Sequence, residues 1–120
     1  MTLRETQSLF ARHVPRLIDH IFESGYECTY GELWRPPQMV EIYVALGTGS
    51  ANSLHPDRLA IDINLFLSGK LLRASEAHRP FGEWWERLHP LARWGGRFVD
   101  DRGRPTPDGN HYSFTYGGRK

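Results

Sequence analysis

The segment from Leu59 to Leu67 has a purely apolar side chain at every second position. Successive side chains of a β-strand point to opposite faces, so this pattern is typical of a strand with one buried face. The apolar face would carry Leu59, Ile61, Ile63 and Leu65, and the other face Ala60, Asp62, Asn64 and Phe66. We predict a strand that packs on helices with one face and presents Asp62 on the other.

The segment from His111 to Tyr116 alternates in the same way. Its aromatic face would carry Tyr112, Phe114 and Tyr116, and its polar face His111, Ser113 and Thr115. If the two strands are neighbours, side chains directly opposite each other have Cβ atoms about 5 Å apart. Asp62 and His111 could then reach the same ion, with His55 closing the site from the loop before the first of these strands.

Helical patterns flank these strands. Thr2 and Glu5 match a capping box, and an apolar stripe follows as far as Gly25. Pro15 lies inside that stretch and is expected to kink the helix or to begin a second one. The other predicted elements are a strand over Tyr26–Trp34, a short helix from Pro36 or Pro37 to Leu46, a hairpin strand at Leu71–Leu72 and a helix over Phe81–Leu88.

This order of elements predicts an α+β fold, a small antiparallel sheet flanked by helices. With 120 residues the chain is expected to be one domain, residues 1–120. The lone Cys28 excludes an internal disulfide and a cysteine-rich zinc site. His78 and His89 are expected on the surface, and His13 and His20 on the surface or in packing.

Charge composition limits the class of partner. Fifteen basic and fourteen acidic residues give a net charge of +1, which provides no bulk attraction to nucleic acid or to an anionic membrane. Arginines at 93, 97, 102 and 104 lie among aromatic residues, but this pattern is more typical of a solvated surface. No signal-peptide core follows Met1, so we expect synthesis in the cytoplasm and no membrane insertion. We also expect no nucleic-acid partner, and a monomer.

Two histidines and one aspartate form a ligand set that can hold Zn²⁺ and leave a position for water. A further carboxylate nearby could take the proton of that water. Asp108 lies three residues before His111 and is the candidate, with a turn-forming Asp-Gly pair as the competing interpretation. Periodicity alone does not separate this metal site from an ordinary solvated sheet face.

The spacing Ser53-x-His55-x-x-x-Leu59-Ala60-x-Asp62, followed by Asp108-x-x-His111, resembles the D-alanyl-D-alanine carboxypeptidase superfamily of zinc peptidases. Gly31-x-x-Trp34-Arg35-x-Pro37 and Trp94-Gly95-Gly96 extend the resemblance over most of the chain. Within the superfamily it is most similar to the short L-alanyl-D-glutamate endopeptidases that bacteriophages use as endolysins. The resemblance implies a hedgehog/DD-peptidase-like fold and action on peptidoglycan stem peptides.

The resemblance also implies site roles. One zinc ion would be held by His55, Asp62 and His111, and Asp108 would be the catalytic carboxylate that takes a proton from water and returns it to the leaving amine.

Other roles follow from the same resemblance. Arg35 would stabilise the oxyanion or bind a substrate carboxylate, with a surface salt bridge as the competing interpretation. Ser53 would support the ligand loop by hydrogen bonding. Trp94 would either pack under the site or line the cleft. Arg58 occupies a position where many relatives have glycine, which predicts either an ordinary φ there or a different loop path. At the rim, Arg58 could bind acidic peptide groups.

Two alternatives to the endopeptidase stay open at the level of sequence. One is a D-Ala-D-Ala carboxypeptidase or dipeptidase, since the scissile bond depends on cleft shape. The other is a catalytically inactive, zinc-containing wall-binding module, against which the presence of Asp108 argues.

Overall fold

The computed structural model describes all 120 residues. Three α-helices and five strands make up the regular structure. In chain order they are α1 Leu3–Glu23, β1 Glu27–Tyr30, α2 Pro37–Ala45, β2 Ala60–Leu67, β3 Lys70–Leu72, α3 Arg79–Leu88, β4 Ala92–Trp94 and β5 His111–Phe114. Short 3₁₀ turns span His55–Asp57, Ser75–His78 and Gly95–Arg97.

The strands form one antiparallel sheet in the order β1-β2-β5-β4, with β3 also paired to β2. The two strands that carry Asp62 and His111 are therefore neighbours, which is the condition for the candidate site. Their register sets Ala60 opposite Ser113, Ile61 opposite Tyr112, and Asp62 opposite His111. The sheet flanked by helices confirms the predicted α+β class.

The core lies between α1, α3 and the apolar face of the sheet. From the helices, Phe10, Leu17 and Trp85 are buried to within a few per cent of their surface. The buried indole Nε1 of Trp85 donates to the Ser113 carbonyl at 3.2 Å, so α3 is joined to β5 by a polar contact inside the apolar layer. Residues Ile61, Ile63 and Leu65 close this layer from β2, as their alternation predicted.

The first helix differs from the prediction at Pro15. The capping box at Thr2 and Glu5 is present, and the helix then runs without a break through Pro15 to Glu23. Since Pro15 is exposed and the helix packs its apolar stripe on both sides of it, tertiary packing outweighs the one hydrogen bond that proline removes. The expectation of a second helix at Pro15 is wrong.

Other differences concern element length and burial. Strand β1 ends at Tyr30, not at Trp34, and β4 was not predicted. All four residues of β5 are buried, so its polar face is covered and not solvated. The expectation that His78 lies on the surface is wrong, because only 2% of its surface is exposed. No helix has an apolar stretch long enough to traverse a bilayer.

Candidate metal centre

Three side chains from separate elements converge at the polar face of the sheet. His55, Asp62 and His111 each bring one potential ligand atom to within 4.8 Å of the others. Asp62 and His111 are brought together by the β2–β5 register, and His55 comes from the 3₁₀ turn that precedes β2. The fold therefore brings His111 next to His55 and Asp62, which lie far earlier in the chain.

The Asp62 carboxylate lies close to both imidazoles, at distances longer than those of well-formed hydrogen bonds. Asp62 Oδ1 lies 3.3 Å from His55 Nε2 and 3.6 Å from His111 Nδ1. Asp62 Oδ1 and His111 Nε2 are nevertheless buried without a hydrogen-bond partner. Buried polar atoms are rarely left unpaired, and two imidazoles with a carboxylate are a donor set that zinc accepts. The residues present therefore fit a metal ion.

The orientation of His55 is set by its other ring nitrogen. His55 Nδ1 lies 3.2 Å from the Leu33 carbonyl oxygen, which leaves Nε2 facing Asp62. Ring nitrogens of metal-binding histidines commonly have such a carbonyl partner, which selects the tautomer. Gly31 and Glu32, which precede Leu33, form backbone hydrogen bonds with Asp62, each of 2.8 Å. These bonds fix the segment that carries the Leu33 carbonyl.

Charges at the centre reinforce one another. Burial disfavours ionisation of Asp62, but the facing His111 and His55 outweigh it and lower the pKa of Asp62 to about 2. Burial alone would lower the pKa of His55, whereas the Asp62 carboxylate raises it above its ordinary value. The Asp62 carboxylate is therefore ionised near neutral pH and lies among nitrogen donors, an arrangement that favours a cation.

Asp108 lies beside this group at the end of the loop that leads into β5. Its Oδ2 is 3.9 Å from His111 Nδ1, and its side chain keeps 53% of its surface exposed. Removal of water by the surrounding protein, with the negative charge of Asp62, raises the pKa of Asp108 above its ordinary value. The carboxylate makes no hydrogen bond within the chain and is half exposed, so it is available to solvent beside His111.

The Asp108 loop is held by close backbone approach. Asp108 N–H donates to the Gly95 carbonyl at 2.9 Å, and a Cβ on Gly95 would lie 2.2 Å from the Asp108 carbonyl oxygen. A Cβ on Gly109 would lie 2.3 Å from Ser75 Cα. These contacts require glycine at both positions, so the Asp-Gly pair serves packing while the Asp108 side chain stays free.

Trp94 packs under the site and does not line the cleft. Its side chain is 1% exposed, and its indole Nε1 donates to the Gly109 carbonyl at 2.7 Å. Since Gly109 follows Asp108 directly, the contact fixes the height of that loop over the sheet.

Arg35 and Ser53 lie on the His55 side of the centre. Ser53 Oγ accepts from the His55 backbone N–H at 3.2 Å and from the Arg35 guanidinium at 3.3 Å. Arg35 also pairs with Glu32 and lies over the Tyr43 ring at 4.9 Å. The guanidinium touches none of the three converging side chains.

Glu32 was not identified from sequence. Its carboxylate pairs with Arg35 and lies 3.9 Å from His55 Nδ1, so it orients the arginine next to the candidate ligand. An acid three residues before an arginine is a possible signal, but such pairs are too common on surfaces to single it out.

Arg58 contradicts the expectation of an ordinary φ. Its backbone is left-handed, with φ 55° and ψ 37°, the conformation that glycine adopts at no steric cost. Arg58 N–H donates to the His55 carbonyl at 3.1 Å, and its guanidinium lies 4.7 Å from the centre of the Trp34 ring. The stacking contact and the closed turn offset the backbone strain, so a glycine-type turn is retained with an arginine in it.

Comparisons with known proteins place the fold. No protein-family model and no curated protein matches the sequence. Among solved structures, the chain is similar to the crystal structure of the Serratia marcescens L-Ala D-Glu endopeptidase ChiX, with a TM-score of 0.60 and 18% sequence identity. The match covers 74% of this chain and 67% of that one. At this identity the likeness is one of fold.

Proposed function

We propose that this protein is a zinc-dependent peptidase that hydrolyses the L-alanyl-D-glutamate bond of bacterial peptidoglycan stem peptides. The observation that carries the proposal is the meeting of His55, Asp62 and His111, with the buried Asp62 Oδ1 lacking any partner. A fold shared with an L-Ala D-Glu endopeptidase supports the substrate class.

His55 Nε2 and Asp62 Oδ1, which lie 3.3 Å apart, would hold the ion together with a ring nitrogen of His111. His111 Nδ1 lies 3.6 Å from Asp62 Oδ1, and His111 Nε2 is buried without a partner. When bound there, zinc supplies Lewis acidity to the scissile carbonyl and to the attacking water. The chain provides the negative charge, the imidazole donors and the backbone contacts that fix their orientation.

Asp108 is proposed as the general base and acid. Its exposed carboxylate beside His111 can take a proton from the attacking water and return it to the leaving amine. Its raised pKa suits a group that must both accept and donate the proton. Arg35, held by Glu32 and Ser53, is proposed to stabilise negative charge on the carbonyl oxygen or to bind a substrate carboxylate.

The scissile bond is tested by digesting purified peptidoglycan and identifying the new amino termini by mass spectrometry. Cleavage of the L-alanyl-D-glutamate bond exposes an amino terminus on D-glutamate. Release of D-alanine without that terminus would replace the endopeptidase with a D-Ala-D-Ala carboxypeptidase. Metal retention with no new terminus of any kind would identify an inactive wall-binding module.

Metal content is tested separately by elemental analysis of the purified protein. We expect about one zinc per chain, removed by chelation together with activity. The phage endolysin role implied by the resemblance stays a prediction, and lysis of intact bacterial walls by added enzyme is its test.

A further inference from the structure

A cavity of about 290 Å³ opens beside Asp108, away from Ser53 and Arg35. It lies between the β2–β3 hairpin and the loop that leads into β5. Its lining includes Asn64, Leu72, Arg73, Ser75, Asp108 and Asn110. The volume is at the lower end for ligand sites, which suits one residue of a peptide.

Two charged side chains line this cavity, Arg73 and Asp108. His78 also contributes to its wall, but burial lowers the pKa of His78 to about 4, so this imidazole is neutral near pH 7. The positive charge of the cavity therefore comes from Arg73. The amides of Asn64 and Asn110 add donors and acceptors suited to peptide groups.

Arg73 differs from the other arginine near the centre. Arg35 is paired with Glu32 and bonded to Ser53, whereas Arg73 makes no ion pair and no hydrogen bond with any residue. Arg73 is exposed and lines the cavity. A guanidinium without a partner in its own chain can donate two parallel hydrogen bonds to a carboxylate.

We propose that Arg73 is a specificity-determining residue that binds the free carboxylate of the residue on the amine side of the scissile bond. This inference rests on the proposed peptidase function. If Asp108 returns the proton to the leaving amine, the residue that carries this amine lies next to Asp108, and the cavity that Asp108 lines is the space available to it. A D-glutamyl residue at that place carries a free carboxylate, and Arg73 is the cation available to it.

The test compares two synthetic stem peptides, one with the free carboxylate of its D-glutamate and one with that group converted to a carboxamide. Wild type should prefer the carboxylate peptide in kcat/KM, and R73Q should lose about 10–100-fold on it while leaving the carboxamide peptide unchanged. R16Q removes the same charge from exposed Arg16 of α1 and should change neither rate. Equal losses of R73Q on both peptides, or no loss, would overturn the inference.

Equilibrium binding separates failure of this inference from failure of the proposed function. Calorimetry on the D108N background measures the affinity for both peptides with and without R73Q. If the wild type cuts neither peptide nor peptidoglycan, the peptidase proposal fails, and binding still decides on Arg73. A carboxylate preference that R73Q removes supports the inference; equal binding of the two peptides, or no binding, contradicts it.

Discussion

The candidate centre is built from two kinds of structure that differ in how they hold their side chains. Asp62 and His111 lie on paired strands, where the backbone ladder of β2 and β5 sets their separation. His55 and Asp108 lie on turns, where a few side-chain and backbone contacts hold them.

The strand-held pair and the turn-held residues are expected to differ in rigidity. The strand-held pair is continuous with the core, so its position is secured by the same burial that stabilises the fold. The turn-held residues depend on Ser53, the Leu33 carbonyl and close glycine contacts. We expect substitution of a candidate ligand, whether on a strand or on the His55 turn, to abolish metal binding, and substitution of the turn-held Asp108 to lower activity with the metal retained.

The largest expected effect is from His111→Ala in the strand-held half. Removing one of three donors should abolish bound zinc and reduce peptidoglycan hydrolysis to background, while the buried apolar core is left in place. Elemental analysis and a thermal unfolding curve measure the two properties. His20→Ala is the matched control. His20 stacks on Trp84 and is not a candidate ligand, so this variant should keep its zinc. Retention of zinc by His111→Ala would contradict the assigned ligand set.

Asp108→Asn tests the turn-held half. The carboxamide keeps the shape of the side chain but cannot take the proton, so kcat should fall about 10²–10⁴-fold with metal content unchanged. Steady-state kinetics with metal analysis checks both. Asp101→Asn, in the same exposed loop, is the control and should retain activity. An unchanged kcat in Asp108→Asn would assign the base elsewhere.

His78 lies at the end of the Ser75–His78 turn, and its Nδ1 is hydrogen-bonded to the hydroxyl of Tyr112 on β5 at 2.8 Å. Burial lowers the pKa of His78 to about 4, below the value of about 6.5 for an unfolded chain. Between these values the unfolded chain binds a proton that the folded protein does not, so stability falls as pH drops through this window.

The expected loss from His78 between pH 7 and pH 4 is about 2–3 kcal/mol, at about 1.4 kcal/mol per unit of pKa. Urea unfolding of wild type and His78→Gln at several pH values isolates it, because the other titrating groups are common to both. The variant should show a shallower decline in the free energy of unfolding. Parallel curves would show that His78 is not held neutral.

The smallest expected effect concerns the left-handed turn at Arg58. Both Arg58→Ala and Arg58→Gly lose the contact with Trp34, but only glycine relieves the positive φ. The glycine variant should be more stable than the alanine variant by about 1 kcal/mol. Thermal unfolding of the two variants measures this difference. Equal stability would mean that the turn is not strained by its side chain.

Much of the fold follows from local patterns. The alternation from Leu59 to Leu67, the capping box at Thr2 and the helix after Pro36 all match elements of the structure. Strand β4 was missed because Ala92–Trp94 is too short for a pattern to register, and it forms only by pairing with β5. His78 was misplaced because nothing local shows that Tyr112, distant in sequence, supplies its partner.

Local sequence patterns were enough to predict which residue types form a metal site. They also predicted which strand face Asp62 and His111 occupy, because side-chain direction in a strand depends on backbone geometry alone. The three-dimensional structure was needed to show that Asp62 lies opposite His111 and that Glu32 pairs with Arg35. It was also needed to show that Arg73 lines a cavity and has no ion-pair partner. Pairings of this kind join segments distant along the chain, and their free energy comes from burial and register that no local pattern contains.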